Sequence, residues 1–207
     1  MNGWLKEFEP FFAVYDFRYI PDYNQFRKNT ATGFLNVVFS ISEYEYETVL
    51  ELFLGVRHQK IEKIAGLYLD IRPDYKPHST TLLASMNKFF NTDAYRFIFK
   101  NTREEKDRVM NIVLNLFRQK CEPELVRIND LEYMNQLFNG QPHTPNPLLV
   151  NVFNRAIRGL AIAYYKDFEK LDYLYDCFSQ AIQHQPDIYK DKLTRLYHKL
   201  LSSGKSQ

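Results

Sequence analysis

Apolar and polar positions alternate along Gly33–Arg57, the most strongly patterned stretch of the chain. Leu35, Val37, Phe39 and Ile41 point one way; Asn36, Ser40 and Ser42, with Val38, point the other. A period of two is the mark of a half-buried strand. After a turn near Ser42 to Glu45 the alternation resumes, with Tyr46, Thr48, Leu50, Leu52, Leu54 and Val56 on the inner side. The pattern predicts an antiparallel hairpin packed on helices. Before it, Trp4, Leu5, Phe8, Phe11, Phe12 and Tyr15 recur at helical steps, and Pro10 divides that helix into two short pieces. "FRYI" and "NQFRK" read as strands around a Pro-Asp turn. Ile61, Ile64, Ala65 and Tyr68 give a short helix. "TLLASMNKFF" and "AYRFIFKN" read as a further hairpin turning at "NTDA".

From Thr102 onward the period is helical. Thr102 and Glu105 form a capping box ahead of Val109, Ile112, Val113, Leu116 and Phe117. Leu125, Ile128, Leu131, Met134 and Phe138 predict one helix that ends at Asn139-Gly140. Asn146 and Pro147 predict the start of the next, with Leu149, Val152, Phe153, Ala156, Leu160 and Ala163 inward. Phe168, Leu171, Tyr175, Phe178 and Ile182, then Ile188, Leu193, Leu196 and Leu200, mark two more. Strands in the first half and helices in the second define an α+β class: an N-terminal helix, an antiparallel sheet of about four to six strands and a C-terminal helical half. The expectation is a single domain over residues 1–207, with a sub-boundary at 121–123 between a sheet-containing half and a helical half.

Composition narrows the function classes. Aromatics reach 16%, with 17 Phe and 15 Tyr, ample for a core. A net charge of +2 is too small for a protein that neutralises many phosphates, so nucleic acid is not the expected partner. Phe and Arg alternate in "YRFIFK", but a core strand explains that at least as well as a stacking platform. Two cysteines, Cys121 and Cys177, make no disulfide framework. No apolar run is long enough to span a membrane, and Glu7, Glu9 and Pro10 interrupt the first apolar stretch, unlike a signal peptide. The expectation is a cytoplasmic protein with reduced thiols and no membrane partner.

No motif of phosphate binding, dinucleotide binding, metalloprotease or serine hydrolase chemistry occurs. The five histidines share no metal-ligand spacing, so no metal and no cofactor is expected. Cys121 and His143 could meet as a nucleophile pair, although nothing local marks them. Glu169, Asp172 and Asp176 share one helix face, with Arg155 and Arg158 as their natural mates.

The remaining candidate is an acidic ladder. Glu45, Glu47 and Glu51 lie on one side of the second strand with Val49 and Phe53, and Arg57 closes the row. Two apolar residues within a charged face resemble an interface centre with a polar rim; solvent-facing guard charges on a sheet give the same pattern. His143, in the loop "PHTPNP", is the second candidate for partner contact.

The order of an aromatic N-terminal helix, Phe26–Ser42 ("FRKNT…GFLNVVFSIS"), Val49–Arg57 ("VLELFLGVR") and Arg158–Ala163 ("RGLAIA") resembles small uncharacterised bacterial α+β proteins. Some of these act as immunity proteins beside polymorphic toxins. The resemblance implies a cytoplasmic binder that blocks a toxin at its active site. The expected function is therefore a non-enzymatic protein-binding module, of which an immunity protein is the sharpest version. The alternative is an enzyme of unrecognised type, with a cleft between sheet and helices.

Overall fold

In the computed structural model, which describes residues 3–204, the alternating stretch forms the two longest strands, β3 (Gly33–Glu43) and β4 (Glu47–His58). They are neighbours in the sheet, joined by a turn in which the Tyr44 N–H donates to the Glu47 carbonyl at 2.8 Å. Ahead of them, β1 (Arg18–Ile20) and β2 (Gln25–Thr30) pair antiparallel, and β2 pairs with β3. The N-terminal helix is two pieces as Pro10 predicts, α1 (Gly3–Lys6) and α2 (Glu9–Ala13).

β5 (Leu82–Ser85) and β6 (Arg96–Lys100) do not pair with each other. Both pair antiparallel with β4, β5 at Phe53–Val56 and β6 at Glu47–Glu51. They are two halves of one edge strand, separated by an excursion that holds α4 (Met86–Phe90). The expected hairpin at "NTDA" is thus an interruption. Asn91, left-handed at φ 48°, ends α4, and the Asn87 side chain accepts from the Tyr95 N–H at 2.9 Å, which returns the chain to the edge.

Three helical expectations need correction. Thr102 caps α5 (Arg103–Leu116) through the Glu105 N–H, but the Glu105 carboxylate goes to Arg108 instead of closing the box. The helix predicted across Leu125–Phe138 is two, α6 (Glu122–Asn129) and α7 (Leu131–Asn139). Asp130 divides them because its carboxylate accepts from the Tyr133 N–H and starts a new helix. The helix expected at Asn146 begins later, as α8 (Val152–Lys166), capped by Asn151. Asn146 uses its side chain in a turn with the Leu148 N–H. α9 (Leu171–Ala181) and α10 (Asp187–Gly204) follow, with Phe168 and Ile188 of the predicted stripes left exposed.

Between α5 and α6 the chain makes a π-turn over Phe117–Cys121, in which the Glu122 N–H reaches the Phe117 carbonyl. Pro123 accounts for it: a proline lacks the N–H of the regular ladder and crowds the carbonyl four residues back, so the preceding turn widens.

The chain divides into two compact units. The first is built from the segments up to Arg57 and from Leu82 to Arg127, the second from His58 to Thr81 and from Ile128 onward. Residues 121–123 lie inside the first. Its core is an aromatic cluster. Phe12, with no exposed surface, stacks on Phe26 at 4.2 Å between ring centres and meets Phe117 edge-on at 4.7 Å. Phe8, Phe17 and Phe39 complete the cage around it. The second unit gathers Ala65 and Leu69, the α8 face from Phe153 to Ala163, Leu174 and Phe178 of α9, and Leu193, Leu196 and Leu200 of α10.

Within that second unit, Gly159 lets α8 approach its neighbours. A Cβ there would lie 2.6 Å from Asn139 Oδ1 and 2.8 Å from a Phe178 ring carbon. Alanine is the better helix former by about 1 kcal/mol, yet Gly159→Ala should lower the melting temperature, because the methyl has no room. In the first unit, Phe12→Ala should cost about 3–5 kcal/mol in a urea titration, as large-to-small changes in a closed core do.

Candidate functional site

The acidic ladder expected on β4 is only partly a wet surface. Glu45 is exposed in the turn, beside Tyr46, and pushes that phenol's pKa up through a hydrogen bond. Glu47 is exposed and Glu51 half-buried. Val49 is buried, Phe53 half-buried and Arg57 buried at 6% exposure. Nor is the face acidic. The register sets Glu47 opposite Lys100, Val49 opposite Ile98 and Glu51 opposite Arg96. Directly opposed side chains share a face, so Glu47 and Glu51 each stand across from a cation. The bases of "YRFIFK" supply these partners, which the strand alone could not reveal.

Ile98 on this face is 57% exposed, and Tyr46, expected on the inner side, stands 77% exposed in the turn before β4. They border a groove of about 680 Å³ with Glu47, Lys100, Thr102, Glu104 and Glu105. Asn101 fixes its geometry. Its amide donates to the Tyr44 carbonyl at 2.8 Å, its N–H to the Tyr46 carbonyl at 3.3 Å, and its side-chain oxygen accepts from the Thr48 hydroxyl. The turn is therefore tied to the strand that faces it.

His143, the remaining candidate, lies in the second unit and is exposed. Its sulfur neighbour is Cys177, not Cys121: Cys177 Sγ is 3.1 Å from His143 Nε2. Tyr173 lies beside the pair, its pKa raised first by a hydrogen bond with Cys177. Cys121 belongs to the other unit, where its sulfur sits 3.4 Å from Met86 Sδ and burial pushes its pKa up to about 12. His143 also lines a cleft of about 550 Å³ under the loop Pro142–Val150, with Val152, Arg155 and Ala181 on its other walls.

Two buried arginines on α8 were invisible as such in the sequence. Arg158 pairs with Glu62 of α3 (Gln59–Ala65), Nε to Oε1 at 2.7 Å and Nη2 to Oε2 at 3.2 Å. The Ser79 hydroxyl donates to Glu62 Oε2 at 2.9 Å. The bidentate fork and the serine engage both oxygens of this carboxylate and make it a structural anchor. Arg155 donates to the carbonyls of Phe138, Gln141 and Thr144 at 2.7–2.9 Å and so fastens the end of α7 and the loop after it. Neither arginine meets the acids of α9. Asp172 instead accepts from the Tyr197 hydroxyl at 2.8 Å, which raises that phenol's pKa to about 12. Among the described residues no group of three or more His, Cys, Asp or Glu is placed to hold a metal ion, and no helix is long and apolar enough to cross a membrane.

Glu62→Gln should destabilise the protein by about 3–5 kcal/mol in chemical unfolding, because it strands a buried guanidinium. Glu62→Leu with Arg158→Met should recover most of that loss, a non-additivity that a purely local packing effect would not produce. At pH 8 a thiol reagent should leave Cys121 untouched until the protein unfolds, since its pKa lies far above that pH. Between the unfolded thiol's pKa near 8.5 and about 12, the folded state keeps a proton that the unfolded state loses, so this group's contribution to stability falls as pH rises. The difference between native and Cys121→Ala melting curves across that range measures it.

No family model matches this chain, and no curated protein or solved structure is detectably similar to it.

Proposed function

We propose that the chain is a non-enzymatic protein-binding module whose contact face is the outer side of β4 and β6. One observation supports this reading above the others: Ile98 and Tyr46 stand exposed over a groove, inside a frame of opposed charges on a turn held by Asn101. An apolar centre with a polar rim is the usual anatomy of such an interface. The paired signs matter for kinetics. Glu47 and Glu51 opposite Lys100 and Arg96 give little net field, so association would rest on apolar contact and register more than on long-range steering. The partner suited to this face is a protein with an apolar protrusion rimmed by both signs of charge. The sharpest form of the reading is an immunity protein that neutralises a bacterial toxin by covering its active site.

A second reading, an enzyme, draws on the 3.1 Å contact between Cys177 and His143 beside the 550 Å³ cleft. A thiol next to an imidazole is the arrangement of nucleophilic catalysis. Cys177 is only 2% exposed, so a substrate would need a local opening to reach it.

The test is affinity capture of the tagged full chain from lysate of its own host, with Ile98→Asp and the double change Glu47→Lys, Glu51→Lys run alongside. The binding reading expects one stoichiometric partner, lost with Ile98→Asp and weakened with the double change. Its salt dependence should be shallow. A partner retained equally by both variants removes this face from consideration. No partner, with turnover of a substrate that Cys177→Ala abolishes, would establish the enzyme instead.

A further inference from the structure

Arg155 is held by carbonyl dipoles and lies over the Phe178 ring, 5.9 Å from guanidinium carbon to ring centre, with no carboxylate among these partners. The residue is only 6% exposed, and its pKa is lowered by that burial. No ion pair among the described residues includes it. Arg158, three residues on along the same helix, shows the contrasting solution, a carboxylate in bidentate contact. Carbonyl dipoles from Phe138, Gln141 and Thr144 satisfy hydrogen bonds of Arg155 but carry no net charge. A buried cation without a counter-ion is costly, so an anion placed against Arg155 would be stabilised there.

The donor inventory gives the shape of that anion. A guanidinium has five N–H groups. Nε, Nη1 and Nη2 each spend one on a carbonyl, which leaves one on each Nη nitrogen. A pair of donors on one planar fork matches the two oxygens of a carboxylate. The surroundings give the rest of the ligand. Arg155 lines the 550 Å³ cleft, whose walls are otherwise largely apolar: Pro142, Pro145, Leu149, Val150, Val152 and Ala181. Among the polar lining groups, Asn146 is committed, donating to the Leu137 carbonyl and accepting from the Leu148 N–H. A mostly apolar cleft of this size with one charged group is the common form of a small-molecule site. A phosphate dianion would leave one charge uncompensated against apolar walls, whereas a singly charged headgroup would not.

We infer that the cleft under the Pro142–Val150 loop binds a small monocarboxylate with an apolar body, its headgroup on Arg155. The site lies in the second unit and does not depend on the β4–β6 face binding a protein.

The experiment is isothermal calorimetry on the full chain at low ionic strength, with sodium hexanoate, 1-hexanol and hexylamine as probes. The inference expects hexanoate to bind, and the alcohol and amine to bind at least tenfold more weakly. Val152→Trp fills the cleft from a wall residue that is 36% exposed, so the protein should keep its circular dichroism spectrum and lose hexanoate binding. Arg155→Lys keeps the charge but not the fork and should weaken hexanoate by about tenfold. Absence of hexanoate binding, equal binding of hexanoate and hexanol, or full retention by folded Val152→Trp would each overturn the inference. Since Arg155 also holds the α7 end, Arg155→Lys counts only if it melts like the native chain. The ligand series and Val152→Trp decide the matter without it.

Discussion

The second unit is organised around one buried ion pair. Glu62 and Arg158 are ninety-six residues apart in sequence, yet their carboxylate and guanidinium meet in a bidentate fork with Ser79 closing one oxygen. Three segments are thereby fixed at one point: α3, the loop that carries Ser79, and the central helix α8. Apolar contacts could hold these pieces together in several similar arrangements, because hydrophobic burial is not directional. A fork between two charges that cannot remain unpaired admits one. Ala65, Leu160, Phe178 and Leu196 then pack around a geometry that is already determined.

The first unit solves the same problem without charge. Rings on either side of α2 and from β2, β3 and the π-turn enclose Phe12 at centre distances of 4.2 to 6.4 Å. Rings are stiff, and edge-to-face contact is orientation-dependent, so the cluster specifies orientation as an ion pair does. The widened turn before Pro123 carries Phe117 into that cluster, so a local constraint on one proline feeds the global packing.

Much of this fold was legible from the chain, for identifiable reasons. The strands β3 and β4 announce themselves because apolar and polar residues alternate in their sequence, although burial follows only in part: Asn36 is buried, and β4 is buried on both faces from Leu54 to His58. The split N-terminal helix follows from Pro10 alone. What escaped was pairing between distant segments. Asp130 divides two helices whose apolar stripe continues across the break, so periodicity could not show it. β5 and β6 look like a hairpin because their turn signal is sound; only the register along β4 reveals an interrupted edge. The glutamate ladder looked acidic because its opposing cations lie about fifty residues away. Arg155 and Arg158 are ordinary charged residues in sequence, and nothing local signals that both are buried.

The interrupted edge has an evolutionary side. β5 and β6 each hold their own hydrogen-bond register on β4, so neither depends on the length of chain that joins them. Met86 is fully buried against Cys121 and Asn87 holds the Tyr95 N–H, so residues 88–94 between them are the part that can grow or shrink without shifting a pair in the sheet. Such a segment is where new specificity is acquired at least cost to the scaffold. Insertions would be expected to collect there, while the ladder beneath stays in place.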